Sequence, residues 1–373
     1  MNKRVNKMRL FPIGVLVAGA LAFGPCTHAQ VVPETKLGLA LQAELASAGQ
    51  DDSIPVIVKF VDEVDLKDLR RQINRSLLAQ YPDPQERKAA RKALKRSGLV
   101  RSLRDQVRTG ERAVQDYLAA SGVAGEVQSL WIINAVAVSL PPHLIEGLAE
   151  LSAVKEVIHD VQVQGPGTGT APMAPTYWNL DKTGAPTLWE EGHTGLGVVV
   201  ATLDTGVDAT HPDLGPRWRG GSSDWFDPYG QHAAPADPNG HGTRVLGLIV
   251  GGDAGGYQVG MAPEAQWIAA KIFNDANQGS LSGIHAAFQW VLDPDGDPGT
   301  DDAPDIVNNS WALVGTVNQC VQEFAPDIAL LKAAEIAVVF SAGNYGPCLL
   351  YTSPSPRDSY ADLVCRLMLE NCG

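Results

Sequence analysis

The chain has 373 residues, 45% hydrophobic and 19% charged, with 38 Gly and 25 Pro. That is the composition of a globular chain of roughly two domains, and it excludes fibres, collagen and wholesale disorder. A formal net charge of −13 speaks against a nucleic-acid partner, which requires a basic face. The total conceals an asymmetry: residues 1–163 carry 21 Lys and Arg against 18 Asp and Glu, and residues 164–373 carry 8 against 24, so the two halves have opposite sign and can attract each other.

Lys3, Arg4, Lys7 and Arg9 precede an apolar run from Leu10 to Phe23 and a small-residue exit at Thr27-His28-Ala29. This predicts a secretory signal peptide over residues 1–29. The run falls short of the roughly 20 residues that cross a bilayer. No other stretch is long and apolar enough to span a membrane, so the mature protein is expected to be soluble and exported, extracellular or periplasmic. Five cysteines are too few for a disulfide framework. Cys26 leaves with the leader, and Cys320 and Cys348 either pair or remain free thiols.

Val56-Ile57-Val58-Lys59-Phe60 predicts a strand, and Leu66, Leu69, Ile73 and Leu77 recur at helical spacing after it. Pro82 and Pro84 interrupt the pattern. A second helical stretch then carries Arg87, Lys88, Arg91, Lys92, Lys95, Arg96, Arg101, Arg104, Arg108 and Arg112. Its plain reading is a solvated helix face; the alternative is a basic face that complements the acidic half. Trp131 to Val138 reads as a second strand, Pro142 opens a helix with Leu144, Leu148 and Leu151 on one side, and Val157-Ile158 begins a third strand. Residues 50–163 are thus expected to form a small α+β domain. A shift to Gly, Pro and Thr marks residues 164–175 as a linker.

From residue 176 the pattern becomes apolar strands alternating with helices. Val198–Leu203, Trp267–Ile272, Ile306-Val307 and Ile336–Phe340 are short and apolar without alternation, as strands covered on both faces are. Helices are expected after His241, over about 282–292, and over 326–334. This succession predicts a mainly parallel sheet with helices on both sides, whose ligands sit at the carboxyl ends of the strands.

Four polar segments stand at such ends. Asp204 follows a strand directly in Leu203-Asp204-Thr205-Gly206; alone it is also compatible with a turn or cap residue, or with the Asp-Thr-Gly word of aspartic proteases. His241 lies between glycines at a helix start, where an imidazole is held in one orientation and moves protons near neutral pH. Asn344 follows the strand ending at Phe340, a place from which a carboxamide can donate to an oxyanion. Asn308-Asn309-Ser310-Trp311 follows Ile306-Val307 and offers an edge for an extended peptide.

The chain order of Asp204, His241, Asn309-Ser310 and Asn344 resembles that of the subtilisin-like serine proteases, the subtilases, and is most similar to their bacillopeptidase-type branch. Gly260-Met261-Ala262-Pro263 ahead of the strand carrying Lys271, and Gly283-Ile284, carry the same resemblance. It implies a subtilisin-like α/β fold over 176–348, incomplete here, preceded by a ferredoxin-like inhibitory propeptide over 50–163 that acts as an intramolecular partner. It implies protein or peptide substrates and no required cofactor. Asp204 would orient His241, His241 would move the nucleophile's proton, and Asn344 would donate to the oxyanion. Asn309, Ser310, Trp311, Ala312 and Leu313 would line the substrate strand and first specificity pocket, with Ala312 standing where the family leads one to expect glycine.

The resemblance also implies a serine in a Gly-Thr-Ser-Met-Ala word, and none occurs in these 373 residues; Thr352-Ser353 is followed by Pro354. The chain as written is therefore expected not to hydrolyse peptides, and residues 349–373 are expected to be a non-native tail. Asp293, Asp295, Asp297, Asp301, Asp302 and Asp305 crowd one loop, but Pro298 and Pro304 exclude an EF-hand. A structural calcium and a solvated surface loop stay open there; His211 and Asp213 are expected to bind no metal. The rival functions are an aspartic protease using the Asp-Thr-Gly word and a non-catalytic, protease-binding fragment.

Overall fold

The computed structural model describes residues 35–61, 66–81, 83–123, 126–167, 178–313 and 322–341. The leader, linker residues 168–175, Cys320, Asn344, Cys348 and the tail lie outside them. After a short helix, α1 (Leu39–Ser47), the β-branched run forms β1 (Ile54–Phe60). Two helices follow, α2 (Leu66–Gln80) and the 37-residue α3 (Pro84–Ala120). Asp83 caps α3 by accepting from the Gln85 and Glu86 N–H groups at 2.8 and 3.0 Å, and Pro84 takes the first position, where its missing N–H costs nothing.

The run from Trp131 to Val138 is not one strand. It divides into β2 (Gln128–Leu130), a 3-10 turn at Trp131–Ile133, and β3 (Ala135–Leu140). Asn134 supplies the reversal with φ 52°, a conformation an Asn side chain tolerates better than most. Next come α4 (Pro142–Glu150) and β4 (Val154–His159), which starts three residues before the expected Val157. These strands form an antiparallel sheet in the order β2-β3-β1-β4. Leu99, Leu103, Val107 and Leu118 of α3 join its core.

The chain does not become a linker at 164. Residues Gln162–Gln164 form β5, which pairs antiparallel with β9 (Gln278–Ser280) of the second half. The Gly165 N–H donates to Asn277 O at 2.8 Å, and Asn277 Nδ2 donates to Pro166 O at 3.0 Å.

In the second half, α5 (Trp178–Thr183) and α6 (Ala185–Glu190) lead to a parallel sheet. Its order is β11 (Ala337–Phe340), β10 (Ile306–Asn309), β6 (Val199–Asp204), β8 (Gln266–Lys271), β7 (Trp225–Phe226). Helices α7 (His241–Val250), α8 (Leu281–Leu292) and α9 (Ala325–Ala333) flank it. Alternate residues of one strand enter different cores: Ala201 and Leu203 pack with α8, and Val200 with Trp267, Leu246 and Val250. Burial on both faces is why β6 and β8 read as unbroken apolar runs.

Because β8 lies on one side of β6 and β10 on the other, the strand order reverses at β6. Its carboxyl end is the topological switch point where open α/β sheets bind ligands. From Lys36 onward the described residues form one compact unit, and a single apolar cluster runs from the antiparallel sheet through Trp131 and Ile132 into α8 and α9.

Candidate active site

Asp204 is the last residue of β6 and is fully buried. Its Oδ1 accepts from the Thr205 N–H at 2.7 Å and lies 2.8 Å from His241 Nδ1. His241 is the first residue of α7, and its ring keeps 21% exposure. Two glycines make the approach feasible. A Cβ on Gly242 would lie 2.1 Å from Gly206 O, and one on Gly206 would lie 2.0 Å from Ala236 O. Gly206 also has φ 115°, where other residues are strained.

A hydrogen-bond lattice fixes the two elements against each other. Asp237 accepts from Thr205 Oγ1 at 2.8 Å, Gly240 N–H at 2.8 Å, Thr243 N–H at 2.9 Å and Thr243 Oγ1 at 2.7 Å. The Gly242 N–H donates to Thr205 Oγ1 at 2.9 Å. Behind the pair, the buried Lys271 ammonium donates to Thr205 O at 3.0 Å and meets Asp275 at 3.2 Å.

Burial pushes the Asp204 carboxyl above its ordinary range; the His241 ring and the Thr205 N–H pull it back, and Asp237 adds to the rise. With Asp204 ionised, the proton on the ring sits at Nδ1, facing the carboxylate, and Nε2 is left with its lone pair. A buried carboxylate holding an imidazole this way has the geometry of the Asp–His part of the Ser-His-Asp template.

The other expected site residues divide. Asn309 ends β10 beside Leu203; its side chain is buried and Nδ2 donates to Val339 O at 3.3 Å. Trp311 packs edge-on against Phe273, Phe324 and Phe340 at 3% exposure. Both support the edge from inside, which corrects their placement as pocket lining. Ser310, Ala312 and Leu313 remain at least partly exposed. Asn344 lies outside the described residues.

Asp293, Asp295 and Asp302 bring carboxylate oxygens within 4.8 Å of one another. The loop's carboxylates are occupied: Asp293 pairs with Arg104, Asp295 accepts from Asp297 N–H, Asp297 from Gly299 N–H, and Asp302 from Asp295 N–H. Burial, outweighing Arg104, pushes Asp293 up to about 6. His211 and Asp213 serve a turn, the Asp213 N–H donating to His211 Nδ1 at 3.2 Å.

Sequence reasoning missed Asp237, Thr205 and Lys271. Lys271 leaves a signal, as the one cation in the apolar run Trp267–Ile272; Asp237 reads only as part of an Asp-Pro-Asn-Gly turn.

Fold and site together define an α/β protein with a buried Asp–His pair at a sheet switch point. Residues 195–361 match the family model Peptidase S8, the Subtilase family. The chain carries a subtilase domain, homologous to bacillopeptidase F and other subtilisins. Bacillopeptidase F of Bacillus subtilis (strain 168) is 32% identical over 278 residues, covering 67% of this chain and 19% of that protein. Subtilisin Savinase of Lederbergia lenta is 40% identical over 114 residues, 31% of this chain and 40% of that protein. Among solved structures, fervidolysin from Fervidobacterium pennivorans, a keratinolytic enzyme related to subtilisin, is similar at TM-score 0.46 and 19% identity, covering 79% of this chain and 40% of that one. The chain thus spans well under half the length of these relatives. Among the described residues no helix is long and apolar enough to cross a membrane.

Proposed function

We propose that the chain is the precursor form of an exported serine endopeptidase of the subtilisin type, acting on protein or peptide substrates and needing no cofactor. The contact of Asp204 Oδ1 with His241 Nδ1 at 2.8 Å, at the end of β6, carries this reading. In it His241 Nε2 takes the proton of an attacking serine and returns it to the leaving amine, while Asp204 holds the ring and stabilises the imidazolium. Asn344 donates to the oxyanion, and Ser310 to Leu313 flank the substrate. The serine comes from a Gly-Thr-Ser segment that these 373 residues do not include, so the chain as written is expected not to hydrolyse peptides.

Residues 50–163 act as the inhibitory prosegment. Two observations support this. The strand order β2-β3-β1-β4, with helices between β1 and β2 and between β3 and β4, fits the split β-α-β plan expected of a ferredoxin-like prosegment. In addition, β5 at the end of the module pairs antiparallel with β9 of the second half as a two-stranded ribbon. The bacillopeptidase F match, two-thirds of the chain, is longer than residues 164–373 and therefore reaches into this module.

A fluorophosphonate probe tests the proposal. The 373-residue chain is expected to take no label, and a version extended through a downstream Gly-Thr-Ser word is expected to label at that serine, with loss on His241→Ala. Labelling of the shorter chain, or pepstatin-sensitive hydrolysis by the longer one, overturns it.

A further inference from the structure

The N-terminal module touches the second half at the β5–β9 pairing, at the Asp160–Ser282 hydrogen bonds and the Lys59–Glu323 ion pair, and through the apolar cluster that runs from Trp131 and Ile132 into α8 and α9. A further contact lies along α3, whose cations follow helical spacing on one side. Arg96, 4% exposed, donates from Nε to Ala334 O at 3.0 Å, from Nη1 to Asp301 Oδ1 at 3.1 Å and Ala303 O at 3.0 Å, and from Nη2 to Pro304 O at 3.0 Å. Lys92 pairs with Asp305, whose other oxygen accepts from the Val199 N–H at 3.1 Å, and Lys95 pairs with Glu335. Arg104 pairs with Asp293, donates to Gly296 O at 2.9 Å, and lies 5.2 Å over the Trp131 ring.

These contacts gather on loop 293–305 and on Glu335, at the amino end of β6. Asp204 stands at its carboxyl end, roughly 17 Å away over five residue steps at about 3.3 Å each. The polar part of this contact therefore lies far from Asp204 and joins a helix of one module to a loop of the other, beside the buried Leu99 and Leu103.

We propose that loop 293–305 and Glu335 form a docking surface for a basic helix, here filled by α3, and that this contact is a salt-sensitive latch. It adds to the apolar and strand contacts that keep the N-terminal module seated after residues 168–175 are cut, and its contribution falls as ionic strength rises. The proposal rests on reading residues 50–163 as a removable prosegment. Its partner chemistry is specific: cations four residues apart on a rigid helix, with one guanidinium inserted among backbone carbonyls. The pairs at Lys92 and Glu335 are partly exposed and are screened as the Debye length falls from about 10 Å at 0.1 M salt to about 3 Å at 1 M.

The test uses the full chain with a site for a sequence-specific protease placed within 168–175. After cleavage, dissociation of the N-terminal fragment is measured by dilution and size exclusion at about 0.1 M and about 1 M NaCl. The fragment is expected to stay bound at low salt and to bind at least about tenfold more weakly at high salt. Lys95→Glu is expected to weaken low-salt binding, and Glu335→Lys added to it to restore part of the loss, which separates ion pairing from misfolding. Equal or tighter binding at high salt, release at low salt, or no recovery in the double variant overturns the latch. The prosegment reading fails separately, if the bound N-terminal fragment leaves probe labelling of the extended, serine-containing chain undiminished.

Discussion

His285 gives the sharpest quantitative handle on this fold. It is fully buried on α8, its Nδ1 3.0 Å from both Asp327 oxygens and its Nε2 3.2 Å from Glu323 Oε1; Glu323 in turn meets Lys59 of β1 at 2.9 Å. Burial alone would lower the histidine's pKa, but Asp327 and Glu323 outweigh it and raise the value from 6.5 to about 9. Between those values the folded state holds a proton that the unfolded state has released. Stability is therefore full below pH 6.5 and falls as pH rises toward 9, by about 1.4 kcal/mol per unit and about 3 kcal/mol in all. That figure is a ceiling, because burial pushes Asp327 upward and so takes back part of the pair's gain. Urea unfolding followed by tryptophan fluorescence measures it, as the difference in pH dependence between the chain and His285→Gln. Removing one of the two carboxylates by Glu323→Gln is expected to shrink the effect without abolishing it, since Asp327 remains. Parallel pH curves for the chain and His285→Gln would refute a buried imidazolium.

Two further substitutions probe the scaffold of the Asp204–His241 pair. Gly242→Ala places a methyl carbon 2.1 Å from Gly206 O, far inside any real contact, so α7 must retreat from β6; a loss of about 1–3 kcal/mol is expected, along with the low-field proton resonance of His241 Nδ1. A stable variant with that resonance in place would show that the glycine is not required. Asp237→Asn replaces one of two acceptor oxygens by an NH2 group facing donors. It is expected to cost about 2–4 kcal/mol and to speed amide exchange at Gly240 and Thr243, whereas unchanged exchange would mean the lattice does not hold the loop.

The readable part of this molecule is the part built from runs. Strands β6 and β8 announce themselves because burial on both faces demands uninterrupted apolar residues, and Asp204 stands out by ending such a run. What stayed hidden lacks a run. The strand β9 is Gln-Gly-Ser, a strand only because β5 pairs with it, and β7 has two residues. Trp131 to Val138 reads as one strand because the turn at Asn134 sits inside an apolar stretch, where only its left-handed backbone betrays it. Trp311 looked like a pocket residue by position, but three aromatic rings draw it inward. His285 sits inside an apolar helix, and the partners that make it tolerable there lie about forty residues on.

The charge asymmetry between the halves carries a narrower meaning than the totals suggest. A net excess on each half acts through water only over about a Debye length, near 8 Å at physiological salt, so +3 against −16 does not by itself seat one module on another. The work falls to a few groups brought to contact distance. Arg101, Arg108 and Arg112, equally part of the basic stretch, are not buried; Arg108 pairs with Asp105 of its own helix. Lys92, Lys95, Arg96 and Arg104, one or two helical turns apart, all reach the acidic half. Both readings of the stretch thus hold on different sides of one helix. The side that docks is marked less by its charge than by Leu99 and Leu103, whose burial turns those four cations toward the acidic loop.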